Sequence, residues 1–131
     1  MPKLHTLPKN ARIKKQKAVE VLFSGGKRLV VPPFRVQYLL QQKVDAAAAH
    51  VQVAVSVPKR AFKKAVHRNR IKRLMREGWR LQKAPLEHMM QQQGAHLQAF
   101  IIYTGADVPD FNFVYEKMAA VLHKLEATLP A

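Results

Sequence analysis

V-A-V-S-V-P-K-R-A-F-K-K-A-V-H-R-N-R-I-K-R-L-M-R-E, Val53 to Glu77, changes its period halfway along. Before Pro58 the residues alternate: Val51, Val53, Val55 and Val57 are separated by Gln52, Ala54 and Ser56. That is a strand with one apolar face and one small, polar face. Pro58 ends it, because proline has no amide to offer a ladder. Beyond Pro58 the period is helical. At about 100° per residue, Ile71, Leu74, Met75, Gly78 and Leu81 fall within roughly a third of the circle. The expected helix starts at Ala61 or Val66 and runs to Lys83, ahead of Pro85.

The polar side of that helix is one-signed. Nine lysines and arginines lie between Pro58 and Glu77, with no acid among them. Arg68, Lys72, Arg76 and Lys83 cluster on one flank, Asn69, Arg73 and Arg80 lie beyond them, and Arg70 falls on the other flank near Glu77. Like charges four residues apart cost helix stability unless an anion compensates. Phosphates would, and the planar fork of arginine suits them. Arg73 and Glu77 have the spacing of a local ion pair. Trp79 sits at the edge of the apolar stripe and reads as core.

The whole chain has 23 basic and 8 acidic residues in 131, a formal charge of +15. Residues 1–28 hold eight basic side chains against Glu20, and residues 59–83 hold eleven against Glu77. The remainder has four basic residues against six acids, so two segments carry all of the excess. Such clustering is an electrostatic footprint for a polyanion. The length suits a single domain spanning residues 1–131. With no cysteine there is no disulfide framework and no thiolate metal site. No apolar stretch approaches the roughly 20 residues needed to cross a bilayer, and no apolar segment of secretory type follows the basic N-terminus. A cytoplasmic protein with no membrane partner is expected.

Around the central stretch the order is helix, strands, helix, strand, helix. Residues 1–14, interrupted by Pro2 and Pro8, read as an extended basic arm, and Lys15–Ser24 as a short helix stopped at Gly25-Gly26. Pro32-Pro33 confines any strand at Leu29–Val31 to a short edge piece. Phe34, Val36, Tyr38 and Leu40 alternate with Arg35 and Gln37 as a half-buried strand. Residues 86–96 read as a connection. Leu97–Tyr103 is apolar throughout, as in a strand covered on both faces. A turn from Asp107 to Asp110 precedes a helix with Val114, Met118, Val121, Leu122 and Leu125 on one side. The expected fold class is α+β, a small α–β sandwich in the order αβββαβα.

The six histidines show no ligand spacing, no glycine-rich phosphate loop is present, and Asp107 and Asp110 stand where a helix cap is needed. No metal site and no catalytic residue is expected on the polypeptide.

Val53 to Glu77 closely resembles the signature of the bacterial ribonuclease P protein component: a strand ending S-V-x-K-K/R, a short spacer, then x-R-N-R-x-K-R-x-x-R-E. The likeness includes R-N-R-I-K-R (Arg68 to Arg73), and Arg12-Ile13-Lys14-Lys15 resembles the N-terminal R-L-K-K of that family. The resemblance implies a mixed sheet with a left-handed βαβ crossover, a topology shared with a ribosomal-protein domain. It also implies a subunit of a ribonucleoprotein that removes the 5′ leader of precursor tRNA, with catalysis by its RNA and Mg2+ held there. Binding of the ribonuclease P RNA would fall to Arg68, Asn69, Arg70, Lys72, Arg73 and Arg76, flanked by Lys59, Arg60, Lys63 and Lys64, with one protein per RNA.

The resemblance further implies a cleft for the single-stranded leader between the first helix and the open sheet face. It would be lined by Arg12, Lys14, Lys15, Val19, Phe23, Arg35, Gln37, Gln52 and Ser56. Three of these depart from the family pattern: Val19 stands in place of an aromatic, Gln37 in place of a tyrosine (with Tyr38 beside it), and Gln52 in place of an arginine. Phe23 is left as the stacking platform, or as a cap on the core. Composition alone equally suits a structural RNA-binding protein such as a ribosomal protein. A protein-only nuclease lacks the carboxylate cluster it would need.

Overall fold

Two of the expected strands meet at Pro32-Pro33, whose cis peptide bond forms the tight turn between β1 (Lys27–Val31) and β2 (Phe34–Gln41). The structure, a computed structural model, describes residues 26–41 and 50–129. The basic arm 1–14, the expected helix Lys15–Ser24 and the loop at 44–49 lie outside those residues, as do Arg12, Lys14, Lys15, Val19 and Phe23.

β3 (Val51–Ser56) and β4 (His96–Tyr103) complete a four-stranded sheet in the order β1-β2-β4-β3. β2 is antiparallel to both β1 and β4, whereas β3 and β4 run parallel. Parallel neighbours need a crossover, and two helices make it here: α1 (Ala65–Arg80) and α2 (Ala84–Gln93). α3 (Phe111–Thr128) follows β4. This is the mixed α+β sandwich expected. β1 is an edge strand, as the prolines require.

One face of the sheet carries Leu29, Phe34, Val36, Tyr38, Val51, Val53, Leu97, Ala99, Ile101 and Tyr103, all buried. They join Ile71, Met75 and Trp79 of α1 and Val114, Met118, Val121, Leu122 and Leu125 of α3 in one apolar cluster. Burial of this much hydrocarbon, at roughly 25 cal/mol per Å², is the main force holding the layers together. α1 and α3 pack closely at Gly78, where an added Cβ would lie 3.5 Å from the Met118 Cβ and 3.6 Å from a Val114 methyl. Gln82 ties the same joint, its Nε2 donating to the carbonyls of Gly78 and Tyr115, each at 2.9 Å. Of the two candidate aspartates, Asp110 caps α3, its Oδ1 accepting from the Phe113 amide at 2.8 Å.

Three features differ from expectation. α1 ends at Arg80, and the stripe is centred on Ile71, Met75 and Trp79, so Trp79 is 1% exposed and Leu81, expected in the stripe, is 49% exposed. The supposed connection 86–96 contains α2. Pro85 lies in its first turn, where a missing amide costs nothing, Leu86 and Met90 bury one side, and Gly94 closes it in the left-handed conformation (φ 62°). Finally, β4 is apolar because it is a central strand: on its second face Gln98, Phe100 and Ile102 are only half-buried. Among the described residues no helix is long and apolar enough to cross a membrane.

Candidate nucleic-acid interface

The basic run divides between a short loop and a helix, and both are fixed by what they bury. After β3, the Pro58 carbonyl accepts from the Ala61 and Phe62 amides, each at 3.3 Å, so the chain turns at once. Phe62 is then buried (6% exposed), its ring 5.9 Å from that of Tyr103, which in turn lies 5.9 Å from Phe34. Tyr103 is itself anchored, its hydroxyl donating to the Asp107 carbonyl at 2.6 Å. Burial, and secondly the Asp107 carboxylate, push the Tyr103 hydroxyl above its ordinary pKa. With Phe62 held, Lys59, Arg60, Lys63 and Lys64 point into solvent around it.

Helix α1 begins at Lys64 without a side-chain cap and without an acid in its first turn. Arg68 instead ties the helix to the loop before it. Its Nη1 donates to the carbonyls of Phe62 (2.7 Å) and Lys63 (2.8 Å), holding the loop against the helix. Asn69, Arg70 and Arg73 are exposed, while Arg68, Lys72 and Arg76 are half-buried where the cationic surface meets the sheet layer. Glu77 takes Arg80 as a two-pronged partner, at 2.6 and 3.2 Å, and this pairing raises the Arg80 pKa further. The one acid of the segment is thus engaged within the helix, and the field of α1 stays positive.

The second surface is the sheet face opposite the core. Strand register places Arg35, Gln37, Gln52 and Ser56 there together: Arg35 is level with Ile102 and Ser56, Gln37 with Phe100 and Ala54, and Gln98 with Gln52. Gln98 Nε2 donates to Gln52 Oε1 at 3.3 Å. The four leader-cleft residues within the described region therefore share one shallow face. Two further residues on it escaped the sequence reading. Arg28 of β1 lies level with Gln37, and Phe100 stands at the centre of the face. The hairpin register set at Pro32-Pro33 was the signal for Arg28, while Phe100 was hidden in a run that is apolar throughout. The loop Lys59–Lys64 leaves the Ser56 end of this face and leads into α1, so the two surfaces adjoin. Among the described residues no group of three histidine, cysteine, aspartate or glutamate side chains is placed to hold a metal.

Fold and surfaces define a class, a small basic α+β sandwich presenting a cationic helix beside a polar sheet face. Known proteins narrow it. The family model for Ribonuclease P matches residues 7–126. The ribonuclease P protein component of Porphyromonas gingivalis is 33% identical over 130 residues, 99% of this chain and 93% of its own length. That of Chlorobium phaeobacteroides is 29% identical, with 93% of this chain and 89% of its own covered. The RNase P protein of Staphylococcus aureus shares the fold with a TM-score of 0.69 at 21% identity, over 88% of this chain and 95% of that one. For the Thermotoga maritima protein the TM-score is 0.67 at 22% identity, over 86% and 96%. The chain belongs to the ribonuclease P protein family, and so to a ribonucleoprotein of tRNA processing.

Proposed function

We propose that this chain binds the catalytic RNA of ribonuclease P through α1 and the Lys59–Lys64 loop, and the 5′ leader of precursor tRNA on the open sheet face. The observation that carries the reading is the one-signed surface of α1, whose sole acid is already paired with Arg80. Arg68, Asn69, Arg70, Lys72, Arg73 and Arg76, with Lys59, Arg60, Lys63 and Lys64, form the RNA-subunit surface. Arg35, Gln37, Gln52 and Ser56 serve the leader, joined by Arg12, Lys14, Lys15, Val19 and Phe23 from the N-terminal segment.

The polypeptide acts by position and charge. Phosphodiester hydrolysis belongs to the RNA, with Mg2+ on its phosphates as the Lewis acid. The cations of α1 lower the repulsion between catalytic and substrate RNA, and the sheet face orients the leader. One protein per RNA subunit, in the cytoplasm, completes the proposal. Each phosphate neutralised releases counterions, so with six to ten contacts affinity falls by roughly 10³–10⁵ between 50 and 200 mM salt.

Reconstitution is the test. Alone, the protein leaves precursor tRNA intact, and added to a bacterial ribonuclease P RNA at low Mg2+ it restores cleavage at the mature 5′ end. Absence of rescue, or cleavage by protein alone, would overturn the reading.

A further inference from the structure

Phe62 is the one large apolar side chain between Lys59 and Lys64, and the charge of that loop gives no reason for it. Its neighbours Ala61 and Lys63 are exposed, yet Phe62 is 6% exposed. Its ring closes a column of three. Phe34 and Tyr103 are level across β2 and β4, with ring centroids 5.9 Å apart, and Phe62 lies 5.9 Å from Tyr103. Both strand residues are buried, and the Tyr103 hydroxyl is bonded to the Asp107 carbonyl.

The column stands behind one end of the open sheet face. Arg35 follows Phe34 in the chain and Ile102 precedes Tyr103, and successive strand residues point to opposite faces. Arg35, Ile102 and Ser56 are level with one another on the open side. A loop of four exposed cations is thus pinned to the very strands that carry Arg35 and Ser56. From the helix side, Arg68 completes the hold through its bonds to the Phe62 and Lys63 carbonyls.

We propose that Phe62 is a positioning residue: it fixes the spacing between the RNA-subunit surface and the leader face, and through that spacing the phosphodiester that is cut. The inference rests on the reading that these two surfaces take the two RNAs. Two RNAs held by one protein reinforce each other's binding only as far as the protein fixes their separation. A loose joint dilutes that effect, and a misplacement of about 1 Å at a reacting centre costs up to roughly 100-fold. Loop backbone outside helix and strand is the mobile part of a fold, and here the aromatic column supplies the stiffness.

The test uses the complex assembled on a bacterial ribonuclease P RNA, with protein titrated until every RNA subunit is occupied. Two quantities are read: the ratio of affinities for leader-bearing and leaderless tRNA, and the fraction of cuts at the mature 5′ end. In Phe62→Ala the ratio falls on the order of 10-fold and cuts appear at neighbouring phosphodiesters, although every residue of the leader face is intact. Phe62→Met, which keeps apolar bulk without a ring, lies between Phe62→Ala and the wild type in both. A residue that merely fills the core would lower the yield of folded protein and leave both quantities at their wild-type values once the RNA is saturated. That result overturns the positioning role and leaves the leader reading standing. Should Phe62→Ala fail to fold, Phe62→Met decides alone, and wild-type values in it overturn the role. A wild-type complex with equal affinity for leader-bearing and leaderless tRNA overturns both.

Discussion

Arg68 is bonded to the main chain of Phe62, six residues before it, its Nη1 donating to the Phe62 carbonyl at 2.7 Å and to the next carbonyl, that of Lys63, at 2.8 Å. Phe62 is at the same time packed on Tyr103. The loop bearing four of the exposed cations is therefore held from below by a buried ring and from the side by a guanidinium. The two arginines that flank Asn69 differ accordingly: Arg68 holds the surface in place and Arg70 is exposed on it.

This difference is measurable. Arg68→Ala removes charge-assisted bonds at a half-buried site, so stability falls by about 1 kcal/mol, and RNA affinity falls as the loop loosens. Arg73→Ala removes only an exposed cation. Its thermal midpoint stays at the wild-type value, while the slope of log affinity against log salt drops by about one unit. If Arg68→Ala behaved like Arg73→Ala in thermal melts and salt titrations, the positioning role of Arg68 would be wrong.

How far the sequence foretold this arrangement depends on the range of the interaction involved. β3, Pro58 and α1 were legible because a change from period two to helical period is local, and so were the buried positions of α3. α2 was missed because only Leu86, Met89 and Met90 are large and apolar in a glutamine-rich stretch and give little periodicity, and Pro85 reads as a stop when it is a start. Arg28 and Phe100 became visible only with strand register, a relation between segments far apart in the chain. The bond from Arg68 to the carbonyl of a buried phenylalanine was not legible either, because nothing in its spacing announces it.

Gly78 lies at the α1–α3 contact, yet neither its backbone conformation nor its packing excludes a methyl group. A methyl group there meets Met118, Val114 and Tyr115 at 3.5 to 3.7 Å, ordinary van der Waals contact. Alanine is favoured over glycine within a helix by roughly 0.5–1 kcal/mol. Gly78→Ala therefore raises stability by up to about 1 kcal/mol in denaturant melts, and RNA affinity is unchanged because the α1–α3 joint faces away from the cations. A destabilised variant would show that the joint has no slack.

The Tyr103 hydroxyl gives the stability a pH dependence. Its folded pKa is raised, first by burial and then by the Asp107 carboxylate. The neutral phenol is thus favoured in the folded state. The stability this contributes is present below the unfolded tyrosine value of about 10 and is lost as pH rises through the folded value. An ultraviolet titration shows a tyrosinate appearing above that ordinary value, and Tyr103→Phe abolishes it. The variant also loses the 2.6 Å bond to the Asp107 carbonyl, and with it about 1 kcal/mol at neutral pH.

Glu77 is the only acid in residues 59–83, and its removal separates the stability of α1 from its affinity for RNA. The Arg80–Glu77 pair is partly exposed, with side-chain accessibilities of 25% and 12%, so its loss in Glu77→Gln costs no more than about 1 kcal/mol. Against this, the helix gains a full positive charge in net terms, and Arg80 is released toward phosphate. RNA binding therefore tightens at low salt and its salt slope steepens by about one unit, even as the thermal midpoint falls. The opposite signs are what distinguish a binding field from a purely structural ion pair. Were Glu77→Gln to weaken RNA binding in proportion to its loss of stability, the charge of α1 would be serving the fold alone, and the RNA surface would have to be sought elsewhere on the molecule.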